Sequence, residues 1–246
     1  MILDSLLIFA VTLGAGMAVK LIPTIKSSQL KILLVFSGAY LFSITFVHLL
    51  PAIFNSSATY INGGILVLAG FFLQMILEYF TSGVEHGHMH EHDHHKEHGG
   101  FRTGSLLVAL GIHAFMEGSI LAYPVDIHDH DSTPLLLGIL LHKIPAAVAL
   151  MSFLICSEKP SRHAWLFLIL FSLATPLGYL LSDYIYQTGI LTERVFMGIM
   201  GMVSGAFLYI STIILFESSP GHTQNLRKLS IILLGVFAAI MIEFLV

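Results

Sequence analysis

Cysteine is almost absent from this chain: Cys156 stands alone, so no disulfide can form within it. A lone thiol in apolar sequence is most simply a small buried hydrophobe. Charge is scarce as well, at 11% Asp, Glu, Lys and Arg, where soluble globular chains carry about 25%. No polar stretch is long enough to fold as a separate soluble domain, so residues 1–246 read as one domain. The basic residues are spread over loop ends and make no patch, which excludes a nucleic-acid surface. No G-x-x-x-x-G-K-[ST] loop is present, so ATP is not expected to drive the function.

Hydrophobic residues are what the chain has in excess, at 56% with a mean hydropathy of +0.86. They fall into eight runs: 3–22, 30–54, 61–82, 101–123, 133–156, 162–187, 190–216 and 226–245. A run of about 20 apolar residues is long enough to cross a bilayer as a helix. Barrel strands would instead alternate in segments of about 10 residues. The expected fold is therefore an all-α polytopic membrane protein with eight transmembrane helices. The limit between runs six and seven is the loosest, because Asp183 and Gln187 fit either side of the lipid surface. No basic segment precedes the first run and no A-x-A-like site follows it, so it reads as a retained helix.

Charge asymmetry sets the orientation. Lys20, Lys26, Lys31, Lys96, Arg102, Lys159, Arg162, Arg227 and Lys228 fall in one class of loops, and only Arg194 in the other. The positive-inside rule then places both termini outside. With no organelle signal in view, the plasma (inner) membrane is the expected location.

Two loops have unusual composition. After run three, residues 83–100 carry seven of the 14 histidines: His86, His88, His90, His92, His94, His95 and His98. Neutral imidazole is a good ligand for borderline divalent metals, so this cytoplasmic loop is expected to hold them weakly. A solvated low-complexity linker has the same composition. After run four, "DIHDHD" (Asp126 to Asp131) faces outside, where it either concentrates cations or is an ordinary hydrated loop.

Inside the runs, ionisable residues are expensive and mark ion pathways or relays. His113 and Glu117, in "GIHAFMEGSIL", are four residues apart and share a helix face. Run five, "LLHKIPAAVAL", adds His142 and Lys143, and Pro145 frees the Leu141 carbonyl one turn back. By helical rise His113 lies roughly 18 Å from the inner end of its run, and His142 roughly 14 Å from the outer end of its own. Antiparallel neighbours would bring the two together near the midplane. Two imidazoles and a carboxylate make a borderline-metal ligand set. The competing reading is a structural network in which Lys143 neutralises Glu117.

Other polar residues are weaker candidates. His48, in "SITFVHLLPAIF", falls roughly 26 Å from the cytoplasmic side, as an entrance ligand or an interfacial histidine. Pro176 frees the Ser172 carbonyl beside Thr175. Glu217 suits an exit path or the headgroups; Glu78 and Glu243 fall near helix ends and read as interfacial.

The order and spacing of "HLLP", "HAFMEG", "HKIPA", "ATPLG" and "GAFLYIS" resemble the ZIP (Zrt-, Irt-like) divalent-metal transporters. The resemblance covers nearly the whole chain. It implies a secondary transporter that moves a divalent cation into the cytoplasm and needs no cofactor beyond its cargo. The cargo implied is Zn2+, with Fe2+, Mn2+, Co2+ and Cd2+ sharing the ligand chemistry. Carried over by position, the family's first metal site uses His113, Glu117 and His142. Members with a second metal have an Asn, an acidic residue and a Glu where this chain has Ala114, Lys143 and Thr175. Ala146 stands where many members have a further Glu or His. One mononuclear site follows, completed by water or a backbone carbonyl, with the Lys143 charge in place of a second cation.

The resemblance also implies a 3+2+3 arrangement: inverted repeats of runs one to three and six to eight around runs four and five. It further implies a homodimer and an elevator-like movement of runs one, four, five and six against the rest. Imidazole and carboxylate bind metal only when deprotonated, so uptake is expected to weaken at acidic pH. The runner-up is a zinc-dependent intramembrane hydrolase using the same residues. Against it, HExxH is absent and no second carboxylate is well placed as a base.

Overall fold

The computed structural model describes residues 2–21, 27–56, 62–81, 99–122, 132–156, 161–190, 192–217 and 226–245. These are helical almost throughout, as lipid requires: backbone groups that water cannot reach must bond within their own segment. The helices are α1 (Ile2–Leu21), α2 (Ser27–Ile44, a π-helical turn Thr45–Leu49, then Leu50–Asn55), α3 (Gly63–Thr81) and α4 (Gly99–Ile120). They continue with α5 (Thr133–Cys156), α6 (Ser161–Gln187), α7 (Glu193–Glu217) and α8 (Leu226–Leu245). Seven are long and apolar enough to cross a membrane; in α4 the apolar part is the shorter Gly104–Ile120. Each coincides with one expected run to within a few residues. The uncertain limit falls after Gln187, whose amide donates to Asp183 at 2.8 Å before a turn at Gly189 with φ of 73°.

Hydroxyls inside the helices bond back along their own backbone. Ser43 donates to the Ala39 carbonyl, Ser172 to Leu168, Ser204 to Met200 and Ser211 to Phe207. A buried hydroxyl satisfied this way costs the bundle little. The outward faces are frankly apolar: Leu233, Leu234, Phe237 and Phe244 of α8 are exposed, as a lipid-facing helix should be.

The most extensive helix contacts are α3–α7, α4–α6, α2–α8 and α1–α5. The pairs α1–α6, α2–α7, α2–α5 and α3–α4 also pack, the last two joining the set α1, α4, α5 and α6 to the set α2, α3, α7 and α8. Glycines set the closest crossings. A Cβ on Gly118 would overlap the Thr175 carbonyl oxygen, and one on Gly178 the Phe115 carbonyl oxygen, so α4 and α6 meet backbone to backbone. Gly70 and Gly205 do the same for α3 and α7, against Met202 and Val67. Small residues at an interface allow this approach where no hydrophobic effect drives helices together.

Cys156 corrects the expectation of a buried thiol. It is exposed, because it is the last residue of α5, where the chain leaves the bundle.

Candidate metal centre

Two apolar clusters divide α4 and α5 between them. Leu110 and Ala114 of α4 join Ala146, Ala147 and Leu150 of α5 in one; Ile120 joins Leu135 and Ile139 in the other. The polar residues fall between them. Both prolines lie inside unbroken helices, so α5 runs through Pro145 and α6 through Pro176. The frame around the polar residues is regular helix flanked by these apolar clusters.

His113, Glu117 and His142 each present a ligand atom, and these atoms all lie within 4.8 Å of one another. All three side chains are buried, Glu117 completely. His113 Nε2 is 3.1 Å from Glu117 Oε1, one helical turn on. The His113 and His142 rings meet edge to face, with centroids 6.0 Å apart at 89°. Two imidazole nitrogens and a carboxylate oxygen at such separations could converge on one divalent cation.

Lys143 also enters the cluster. Its Nζ lies 2.5 Å from Glu117 Oε2 and 4.6 Å from the centre of the Phe171 ring on α6. The chain thus holds both arrangements that the sequence left open, a ligand trio and a neutralising ion pair, around one carboxylate. α4 and α5 are not among the closely packed helix pairs. They meet through these side chains and the apolar clusters, while α6 lies against α4 and α1 against α5.

His48 is not part of this cluster. Its Nδ1 pairs with both carboxylate oxygens of Glu243, at 3.0 and 3.1 Å, joining the π-helical turn of α2 to the end of α8. Glu243 is therefore engaged between helices. The sequence gives no signal for this pair, since its members are 195 residues apart. Glu243→Gln is expected to weaken the bond by about 1 kcal/mol. A melt of the detergent-solubilised protein should record this as a fall of about 2–4 °C.

Several expected residues lie outside the described segments. They are the loop histidines His86, His88, His90, His92, His94, His95 and His98, and the acidic loop Asp126 to Asp131. Glu217 ends α7, and Glu78 is partly exposed near the end of α3. Phe171 is the site residue that sequence reading missed, because one aromatic residue among many apolar ones carries no mark.

Apolar helices around a buried set of metal-ligating side chains define a polytopic membrane protein with the means to hold a cation inside it. A family model described as ZIP Zinc transporter matches residues 84–243, well over half of the chain. The chain belongs to the ZIP zinc transporter family, a family of carriers and not of enzymes, and the hydrolase reading falls with that assignment. It is also similar to Protein zntD of Dictyostelium discoideum, 33% identical over 163 residues, which make up 62% of this chain. The matched part is 24% of that relative, so the chain spans about a quarter of its length.

Proposed function

We propose that this protein is a secondary transporter that carries a divalent metal ion, zinc foremost, into the cytoplasm through one mononuclear site. The observation that carries the reading is the convergence of His113, Glu117 and His142, buried and within 4.8 Å, in a member of a family of transporters. The ion enters from the outer side, sheds water and takes two imidazoles and a carboxylate. Water or a backbone carbonyl completes a tetrahedral shell, the coordination zinc adopts most often. Iron, manganese, cobalt and cadmium compete for the same donors.

The translocation step is alternating access, with α1, α4, α5 and α6 moving as a unit against α2, α3, α7 and α8. The packing supports the division, since the four most extensive helix contacts fall within the groups, and α2–α5 and α3–α4 join the two groups. It also supports the inverted 3+2+3 plan. Contact of α3 with α7 has its counterpart in α8 with α2, and α1–α5 in α6–α4. Binding between repeats near the bilayer midplane is the general pattern of such carriers. Both termini lie outside, a homodimer is the assembly, and the plasma membrane is the location. The loop histidines receive the ion on the cytoplasmic side.

The test is uptake of radioactive zinc into proteoliposomes. His113→Ala and His142→Ala are each expected to reduce it by about 10- to 100-fold, the cost of perturbing one group at a metal site. Wild-type rates in both variants would remove these imidazoles from the pathway.

A further inference from the structure

Lys143 carries the same sign of charge as the cargo, yet it stands inside the cargo's site. Its ammonium touches the Glu117 carboxylate on one side and faces the Phe171 ring on the other. Both Lys143 and Phe171 are buried, at 1% and 2% exposure. An aromatic face attracts an ammonium most strongly where water is excluded. Glu117 is at once the partner of Lys143 and one of three groups poised to ligate an ion. Cargo and lysine therefore compete for one carboxylate.

Resting on the transport reading above, we infer that Lys143 is a tethered surrogate for the cargo, and that Phe171 holds its ammonium when a metal ion takes Glu117. In the empty carrier the ammonium neutralises the carboxylate. The moving unit can then reorient without dragging an unpaired charge through the bilayer. An arriving divalent cation displaces the ammonium from Glu117, and the side chain pivots while keeping its place on the ring. When the ion leaves, the ammonium returns to the carboxylate. Lysine thereby lowers the affinity for cargo and lets the empty carrier go back. Phe171 is a positioning residue, because it acts on the metal only through Lys143.

This assignment gives two neighbours opposite effects. Without the competing ammonium, Lys143→Met should bind cargo more tightly, lowering the half-saturating zinc concentration by about tenfold or more. Without the ring, the displaced ammonium has nowhere favourable to go, so Phe171→Leu should raise that concentration by about tenfold. In the double variant the ring has nothing left to hold, and the behaviour should be that of Lys143→Met alone.

The measurement is zinc exchange across zinc-loaded proteoliposomes, run beside net uptake into zinc-free ones. Net uptake requires return of the empty carrier and exchange does not, so Lys143→Met should lose net uptake far more than exchange. If Phe171→Leu costs the same with and without Lys143, the ring is merely structural and the inference falls. It falls also if Lys143→Met raises the half-saturating concentration. Should Lys143→Met fail to assemble, Lys143→Arg keeps a cation for the ring. Phe171→Leu must then still weaken zinc in that background, and no effect there overturns the inference. Wild-type protein that exchanges no zinc defeats the transport reading itself, a different outcome.

Discussion

Replacing Glu117 by glutamine is expected to abolish metal uptake and to destabilise the fold at once. The two losses have separate causes. Uptake fails because the only carboxylate in the trio becomes an amide, which is a poor ligand for a divalent cation beside His113 and His142. Stability fails because Lys143 keeps its charge at 1% exposure and loses the group that neutralises it. Breaking a buried ion pair by removing one partner costs about 3–5 kcal/mol, more than the pair contributes against an apolar substitute. A second substitution separates the causes. Glu117→Gln combined with Lys143→Met leaves no charge behind, so thermal stability should recover to within a few degrees of wild type. Transport should not recover, since the ligand is still missing. Melting the single and double variants in detergent, together with zinc uptake in liposomes, reads both terms. Zinc uptake by the double variant at the wild-type rate would show that the carboxylate serves Lys143 and not the metal.

The helices were legible because the bilayer imposes one rule on every span: length and apolarity decide, and each apolar run became a helix. The candidate ligands were legible for the complementary reason. His113, Glu117 and His142 are costly in lipid, so each stands out against its neighbours, and helical rise alone placed two of them at similar depth. Partnerships were harder to read. Glu243 looked interfacial by its position near a helix end, and nothing local in the sequence links it to His48. Phe171 is one of 18 phenylalanines, and only the packing of α6 against α4 and α5 puts its ring beside the ammonium of Lys143. The pairing of α4 with α6 was likewise hidden. Which helix approaches Gly118 is a property of the assembled bundle and leaves no local mark in the sequence.

That crossing carries the second large effect. Gly118→Val or Gly178→Val is expected to lower stability severely and to eliminate uptake, although neither residue touches metal. At both positions a side chain would run into a carbonyl oxygen of the opposite helix, Thr175 for Gly118 and Phe115 for Gly178. A backbone carbonyl cannot rotate away as a flexible side chain does, so the helices themselves must separate. Overpacking typically costs about 1–3 kcal/mol, and a backbone obstacle belongs at or above the top of that range. The displacement also reaches the site, because Glu117 adjoins Gly118 while Phe171 lies one turn before Thr175 on α6. Moving α6 outward carries the ring away from Lys143 and opens the buried pocket to water. Gly111→Ala supplies the control on the same helix as Gly118. Nothing lies within 4 Å of a Cβ there, and alanine favours helix over glycine by about 1 kcal/mol. That variant should melt at or above the wild-type temperature and retain uptake. If Gly118→Val behaves like Gly111→Ala, the close crossing of α4 and α6 is not what holds the ligands together.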